Sequence, residues 1–122
     1  VEAIRLNNLG AAYMGQQRFA EATRLFQRAY ALDPRLDVAR LNEGISLLNE
    51  QKIDAARTAL QAAVQRNPEN ARAWFNLGLL HRSVGEAKDA LEDFRHAAQL
   101  APNDPDTYYF VGASAAQAQD DQ

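Results

Sequence analysis

Residues 74–102 read WFNLGLLHRSVGEAKDALEDFRHAAQLAP, and the spacing within this stretch sets the class of the whole chain. Trp74, Leu77, Gly78 and His81 stand at i, i+3, i+4 and i+7, which places them on one face of a helix. After Gly85, Ala90, Phe94 and Ala97 repeat that arrangement. The stretch is therefore two amphipathic helices joined by a short turn. Pro102 closes it, because proline disfavours helical geometry in the residue before it.

Moving outward, the same unit recurs with a period of 34 residues: Pro34, Pro68 and Pro102 keep that step, as do Gly10, Gly44, Gly78 and Gly112. So do Ala22, Ala56 and Ala90, and Ala29, Ala63 and Ala97. A shared period in several residue types marks one duplicated unit. The repeats run 3–36, 37–70 and 71–104, with a partial fourth at 105–119. Their helices are expected to join near Gly15, Gln51 and Gly85. A glycine or alanine at a helix crossing lets two backbones approach closely, while the large residue beside it fills the groove. Leucine at Ala56 or Ala90 would not fit. Asn70 and Asp104 are expected N-caps, with Pro105 at a first helical position.

Leu6, Leu9, Gly10, Tyr13, Ala22, Phe26, Ala29 and Pro34 resemble the pattern of the tetratricopeptide repeat family. Trp74, Leu77, Gly78, His81, Ala90, Phe94, Ala97 and Pro102 resemble it again, so the likeness covers almost the whole chain. It implies an all-α fold: a right-handed superhelical solenoid of antiparallel helix pairs, three repeats plus a terminal helix in one domain spanning 1–122. It also implies that the first helix of each pair lines a concave groove.

Carried onto this sequence, that resemblance turns two sets of residues toward the groove. Asn8, Asn42 and Asn76, again 34 apart, form a ladder. A carboxamide both donates and accepts, so such a ladder suits the backbone of an extended peptide. O-linked N-acetylglucosamine transferase carries a similar ladder on its tetratricopeptide superhelix. The second set is apolar: Leu41, Ile45, Leu48, Phe75, Leu79 and Tyr109, with Arg72 at the rim. An apolar stripe edged by polar residues is the usual mark of a protein-binding surface. Family co-chaperones hold acidic C-termini with a clamp of Lys, Asn, Asn, Lys and Arg. Its positions here carry Asn7, Ala11, Asn42, Arg72 and Asn76, so that clamp is not expected.

Three features depart from the pattern. Arg40 and Glu43 occupy core positions and are expected to pair at a partly buried seam. His81 takes the place of Tyr13 and is expected to serve as a core aromatic, since no cluster of ligands surrounds it or His96. Glu92 and Asp93 are expected on the solvated side of a second helix. In the terminal segment Tyr108 and Val111 would face a missing partner, and Asp120 with Asp121 offers only a short polar cap.

Composition removes other classes. In 122 residues, 13 basic against 16 acidic side chains give a net charge of −3, which provides no positive field for nucleic acid. The absence of cysteine excludes a disulfide framework and thiolate chemistry but leaves the compartment open. No apolar run approaches the roughly 18 residues of a membrane span. The chain begins at Val1 and reads as a segment of a longer one. No phosphate loop, nucleophile triad or metal-ligand cluster is present, so neither cofactor nor catalysis is expected. The expected function is a non-catalytic module that binds a partner peptide or helix in its concave groove. The alternative is a structural or self-assembly segment of a larger protein, an arm of an enzyme whose catalytic domain lies elsewhere, associating through the C-terminal helix.

Overall fold

The computed structural model describes residues 1–120, and their regular structure is entirely helical. Seven helices follow in order: α1 (Glu2–Gly15), α2 (Phe19–Leu32), α3 (Asp37–Asn49), α4 (Ile53–Arg66), α5 (Ala71–Ser83), α6 (Ala87–Leu100) and α7 (Pro105–Asp120). They form two compact units, Val1–Arg66 with α1 to α4 and a second from Asn67 with α5 to α7. Within the first unit each helix packs on the next; within the second, α6 packs on both α5 and α7. Asp121 lies outside the described residues.

Glycine sets the closeness of each pair. A Cβ added at Gly10 would stand 2.6 Å from Phe26 Cε1, one at Gly44 would stand 2.9 Å from Leu60 Cδ2, and one at Gly78 would stand 2.7 Å from Phe94 Cε1. Phe26, Leu60 and Phe94 are each wholly buried, as are Ala22, Ala56 and Ala90 one turn before them. The ring or isobutyl group thus lies directly on the backbone of the facing helix, where no side chain fits.

The turns also repeat. Arg18 N donates to Tyr13 O and Gln17 N to Met14 O; Lys52 and Gln51 repeat this onto Leu47 and Leu48, and Glu86 and Gly85 onto His81 and Arg82. This is the two-bond Schellman termination, with a left-handed residue after the helix. That residue is Gln17 at φ 62°, Gln51 at φ 62° and Gly85 at φ 81°. The first turn therefore centres on Gln17 rather than on Gly15, which ends α1 and has open space around its Cα. At the other ends, Asn70 Oδ1 accepts from the backbone of Arg72 and Ala73, and Asp104 Oδ1 from that of Asp106. Both expected caps are in place.

Two polar side-chain pairs sit inside the units. Arg40 donates to Glu43 at 2.9 Å, Gln27 to the second oxygen at 3.3 Å, and the guanidinium lies 5.5 Å from the Tyr30 ring centre. The expected seam pairing is present. In the second unit, His81 Nδ1 meets Asp93 Oδ2, with both side chains buried. Asp93 is thus a core residue and not part of a solvated face. Its place in the repeat is that of Ala59, which is wholly buried. His81 consequently acts as a polar partner as well as a core ring. Burial pushes the Asp93 carboxyl up to about 6, with the His81 hydrogen bond pulling against it.

Leu9, although on the repeat pattern, is 39% exposed, whereas its counterpart Leu77 is 4% exposed. Glu43, the counterpart in α3, is reached by Gln27 of α2.

Gly78→Ala should lower stability by about 1–3 kcal/mol through overpacking against Phe94, whereas Gly15→Ala should gain up to about 1 kcal/mol; urea unfolding distinguishes them. At the turns, Gly85→Ala should lose about 1 kcal/mol and Gln51→Gly should gain a comparable amount, because only the glycine adopts positive φ without strain. A similar gain or loss in both would remove the left-handed turn from the account. For Asp93, the unfolded chain releases its proton near the ordinary 3.8 and the folded unit near 6. The group's stabilising contribution is therefore full below the unfolded value and is lost as pH rises through the folded one. The Tm of the natural chain should fall relative to that of Asp93→Asn between about pH 4 and pH 7. Parallel pH profiles would show that the carboxyl does not titrate in this way.

Candidate partner-binding surface

The asparagines of the ladder differ in environment. Asn8 on α1 is exposed, while Asn42 and Asn76 retain 4% and 9% of their accessible surface. Asn42 Nδ2 donates to Asn7 Oδ1 at 3.1 Å, and Asn76 Nδ2 to Arg72 O at 2.8 Å. Two of the three carboxamides therefore direct donors inward. A buried amide must find a partner inside the protein, and α1 and α3 pass close enough in the first unit for Asn7 and Asn42 to supply each other. Of the three, Asn8 is the carboxamide that stands exposed, and Asn42 and Asn76 are largely covered. Asn7, which the sequence reading did not select for the ladder, is the residue that meets Asn42.

The apolar set divides similarly. Leu41 and Ile45 are 2% and 8% exposed, so they are core residues and not a surface stripe. Leu48 is half-buried, and Asn49 beside it donates to Ile45 O. The helical period alone does not separate a face covered by a neighbouring helix from one left to solvent.

The second unit brings several candidates together. Phe75 lies 5.5 Å from both Phe94 and Phe110, centre to centre, and the latter two stack at 5.2 Å. Tyr109, 67% exposed, meets Phe110 edge-on at 5.3 Å, and the Arg82 guanidinium stands 5.1 Å from the centre of the Phe110 ring. Phe110 is the centre of this cluster, though it was not among the residues chosen from sequence. Beside it, Arg72 and Phe75 with Ala71, Ala97, Asp104 and Thr107 line a hollow of about 280 Å³. Arg72 is exposed at its edge; Phe75 and Leu79 are half-buried. The arrangement offers an apolar seat, a guanidinium, a carboxylate and an exposed phenol within α5, α6 and α7.

The first unit has a hollow of about 300 Å³ between Tyr30, Asp37, Arg40, Ala63 and Arg66. Another, of about 340 Å³, lies beside Leu9, Tyr13 and Leu25. Among the described residues, no group of three or more histidines and acids is placed to hold a metal ion, and no helix is long and apolar enough to cross a membrane.

Comparison with known proteins matches the tetratricopeptide repeat family over residues 3–36 and again over residues 41–105. Protein NPG1 of Arabidopsis thaliana is 31% identical over 109 residues, which cover 84% of this chain and 15% of that protein. The chain spans less than a fifth of the length of the curated relatives it matches. The first TPR of Spaghetti (RPAP3), bound to the HSP90 peptide SRMEEVD, superposes with a TM-score of 0.92 at 19% identity, covering 97% of this chain and 94% of that one. The Sgt2 TPR domain from Aspergillus fumigatus superposes with a TM-score of 0.90 at 18% identity, covering 97% and 80%. At those identities the likeness establishes the fold alone, an all-α tetratricopeptide solenoid. With two family matches laid over helix pairs that repeat every 34 residues on glycine seats, the chain belongs to the tetratricopeptide repeat family.

Proposed function

We propose that this chain is a non-catalytic protein-interaction module whose partner segment is held on α5, α6 and α7. The observation that carries the reading is the hollow between Arg72, Phe75, Asp104 and Thr107, beside an aromatic cluster that leaves Tyr109 exposed. At about 280 Å³ it is smaller than the roughly 300–1,000 Å³ of ordinary small-molecule sites and suits one large apolar side chain. Arg72, exposed beside the hollow, adds positive charge that suits an acidic group of the partner. Tyr109 supplies a rigid aromatic surface of the kind enriched at protein interfaces. The peptide held by the RPAP3 repeat supports this class of ligand for the fold. Within the ladder, Asn8 is accessible to a partner, Asn42 ties α3 to α1 through Asn7, and Asn76 bonds back to its own helix at Arg72 O. Leu41 and Ile45 act from the core, with Leu48 and Leu79 at partly covered positions.

A random-peptide display library selected on the natural chain tests the proposal. Selected peptides should bind the Arg72→Ala, Tyr109→Ala double variant at least about tenfold more weakly, a loss of about 1.4 kcal/mol, with the Tm preserved. Asn8→Ala should have a smaller effect. Asn42→Ala should instead lose about 1–3 kcal/mol of stability, because Asn7 Oδ1 loses its donor. Unchanged binding in the double variant, or no peptides selected at all, would overturn the assignment of this surface.

A further inference from the structure

The hollow of about 300 Å³ in the first unit has a filled counterpart one repeat later. Its wall includes Arg40 and Ala62, and 34 residues further on these positions carry Trp74 and His96. There the indole and imidazole rings stack, with centres 4.2 Å apart and planes 12° from parallel. In the second repeat the Arg40 guanidinium takes the place of the indole, and the methyl group of Ala62 takes the place of the imidazole. The space that one ring fills in the third repeat is therefore open in the second. Its walls come from α2, α3 and α4, and neither the first nor the last helix of the chain contributes to it.

The wall suits a particular chemistry. Arg40 and Tyr30 are both half-buried, with the guanidinium 5.5 Å from the ring centre. A planar guanidinium stacks on aromatic faces, so a ring laid against these two groups repeats the arrangement of Trp74 and His96. In charge, two guanidiniums, Arg40 and Arg66, line the hollow against one carboxylate, Asp37. Arg40 is engaged with the buried Glu43 at 2.9 Å. Arg66 meets Asp37 through Nε at 3.4 Å, in an exposed pair of the kind that contributes little. A ligand carboxylate can therefore compete with Asp37 for Arg66. We propose that this hollow binds an aromatic carboxylate, its ring seated between Tyr30, Arg40 and Ala62 and its carboxylate on Arg66. At about 300 Å³ the space stands at the lower end of small-molecule sites and holds one ring system. The same chemistry is carried by a free aromatic acid and by an aromatic residue at a chain's C-terminus. The site lies wholly on α2, α3 and α4, so it can fail while the proposed function on α5, α6 and α7 stands, and the reverse.

The test titrates the full chain with indolepropionic acid and follows the backbone amides of Tyr30, Ala62 and Gln65 by NMR. Binding should saturate, and Ala62→His should weaken it about tenfold or more, because that variant supplies the second repeat with the ring the third already has. Both arginines are kept in Ala62→His, and an undiminished Tm shows that the loss is occlusion; Ala62→Leu is a second occluding variant should the first fold poorly. Arg66→Gln should weaken the acid about fivefold and leave binding of the corresponding amide unchanged. An acetylated Gly-Gly-Trp peptide with a free carboxylate separates the sources: tighter binding of the peptide assigns the site to a chain terminus, tighter binding of the free acid to a small molecule, and either upholds the proposal. No saturable binding, or equal binding to both Ala62 variants, overturns it. Binding lost in the Arg72→Ala, Tyr109→Ala double variant but kept in Ala62→His also overturns it, placing the acid at the other hollow.

Discussion

The contact of an apolar side chain with the bare backbone of a glycine governs each helix pair. Where Phe26, Leu60 and Phe94 lie on Gly10, Gly44 and Gly78, the spacing of two helices is set by a ring or an isobutyl group touching main chain. Dispersion attraction is small per atom pair and falls steeply with a gap, so the fit must be close to stabilise the pair. Ala22, Ala56 and Ala90 lie one turn before the large residue on the same helix, and each is wholly buried. Once the helices stand that near, the turn between them has little freedom. The left-handed residues Gln17, Gln51 and Gly85 each reverse the chain with the same two hydrogen bonds.

Close packing also determines which polar groups can be tolerated inside. Asn42 is buried because Asn7 lies across from it, and Glu43 because Arg40 and Gln27 reach its two oxygens. His81 and Asp93 form the equivalent arrangement in the second unit. A buried polar group left without a partner loses its hydration for no return, so these pairings accompany the burial and do not advertise a ligand site. The accessible chemistry lies elsewhere, where Arg72, Tyr109 and the hollow beside Phe75 remain open to solvent.

The same reasoning gives α7 two different faces. Thr107, Ser114 and Ala118 are buried, while Tyr108, Tyr109 and Gly112 are exposed. One side completes the packing of the second unit through α6, and another carries the exposed tyrosines. The second unit therefore presents surfaces of unlike kinds, a polar-edged hollow and an apolar helix face.

The sequence by itself determined the helix pairs, their 34-residue register, the caps at Asn70 and Asp104 and the pairing of Arg40 with Glu43. These depend on local geometry: the helical period, the backbone limits of proline and the reach of side chains three apart. Only the tertiary structure decided that Asn42, Leu41 and Ile45 lie inside, that Asp93 is buried against His81, and that Phe110 gathers Phe75 and Phe94 around it. A period states which residues share a face, but whether another helix covers that face depends on residues distant in sequence. The repeat could have placed Asp93, since it falls on Ala59; nothing local in the amino acids distinguishes the exposed Asn8 from the buried Asn42. Burial belongs to the packed assembly of helices, and it was burial that separated the residues of the core from those available to a partner.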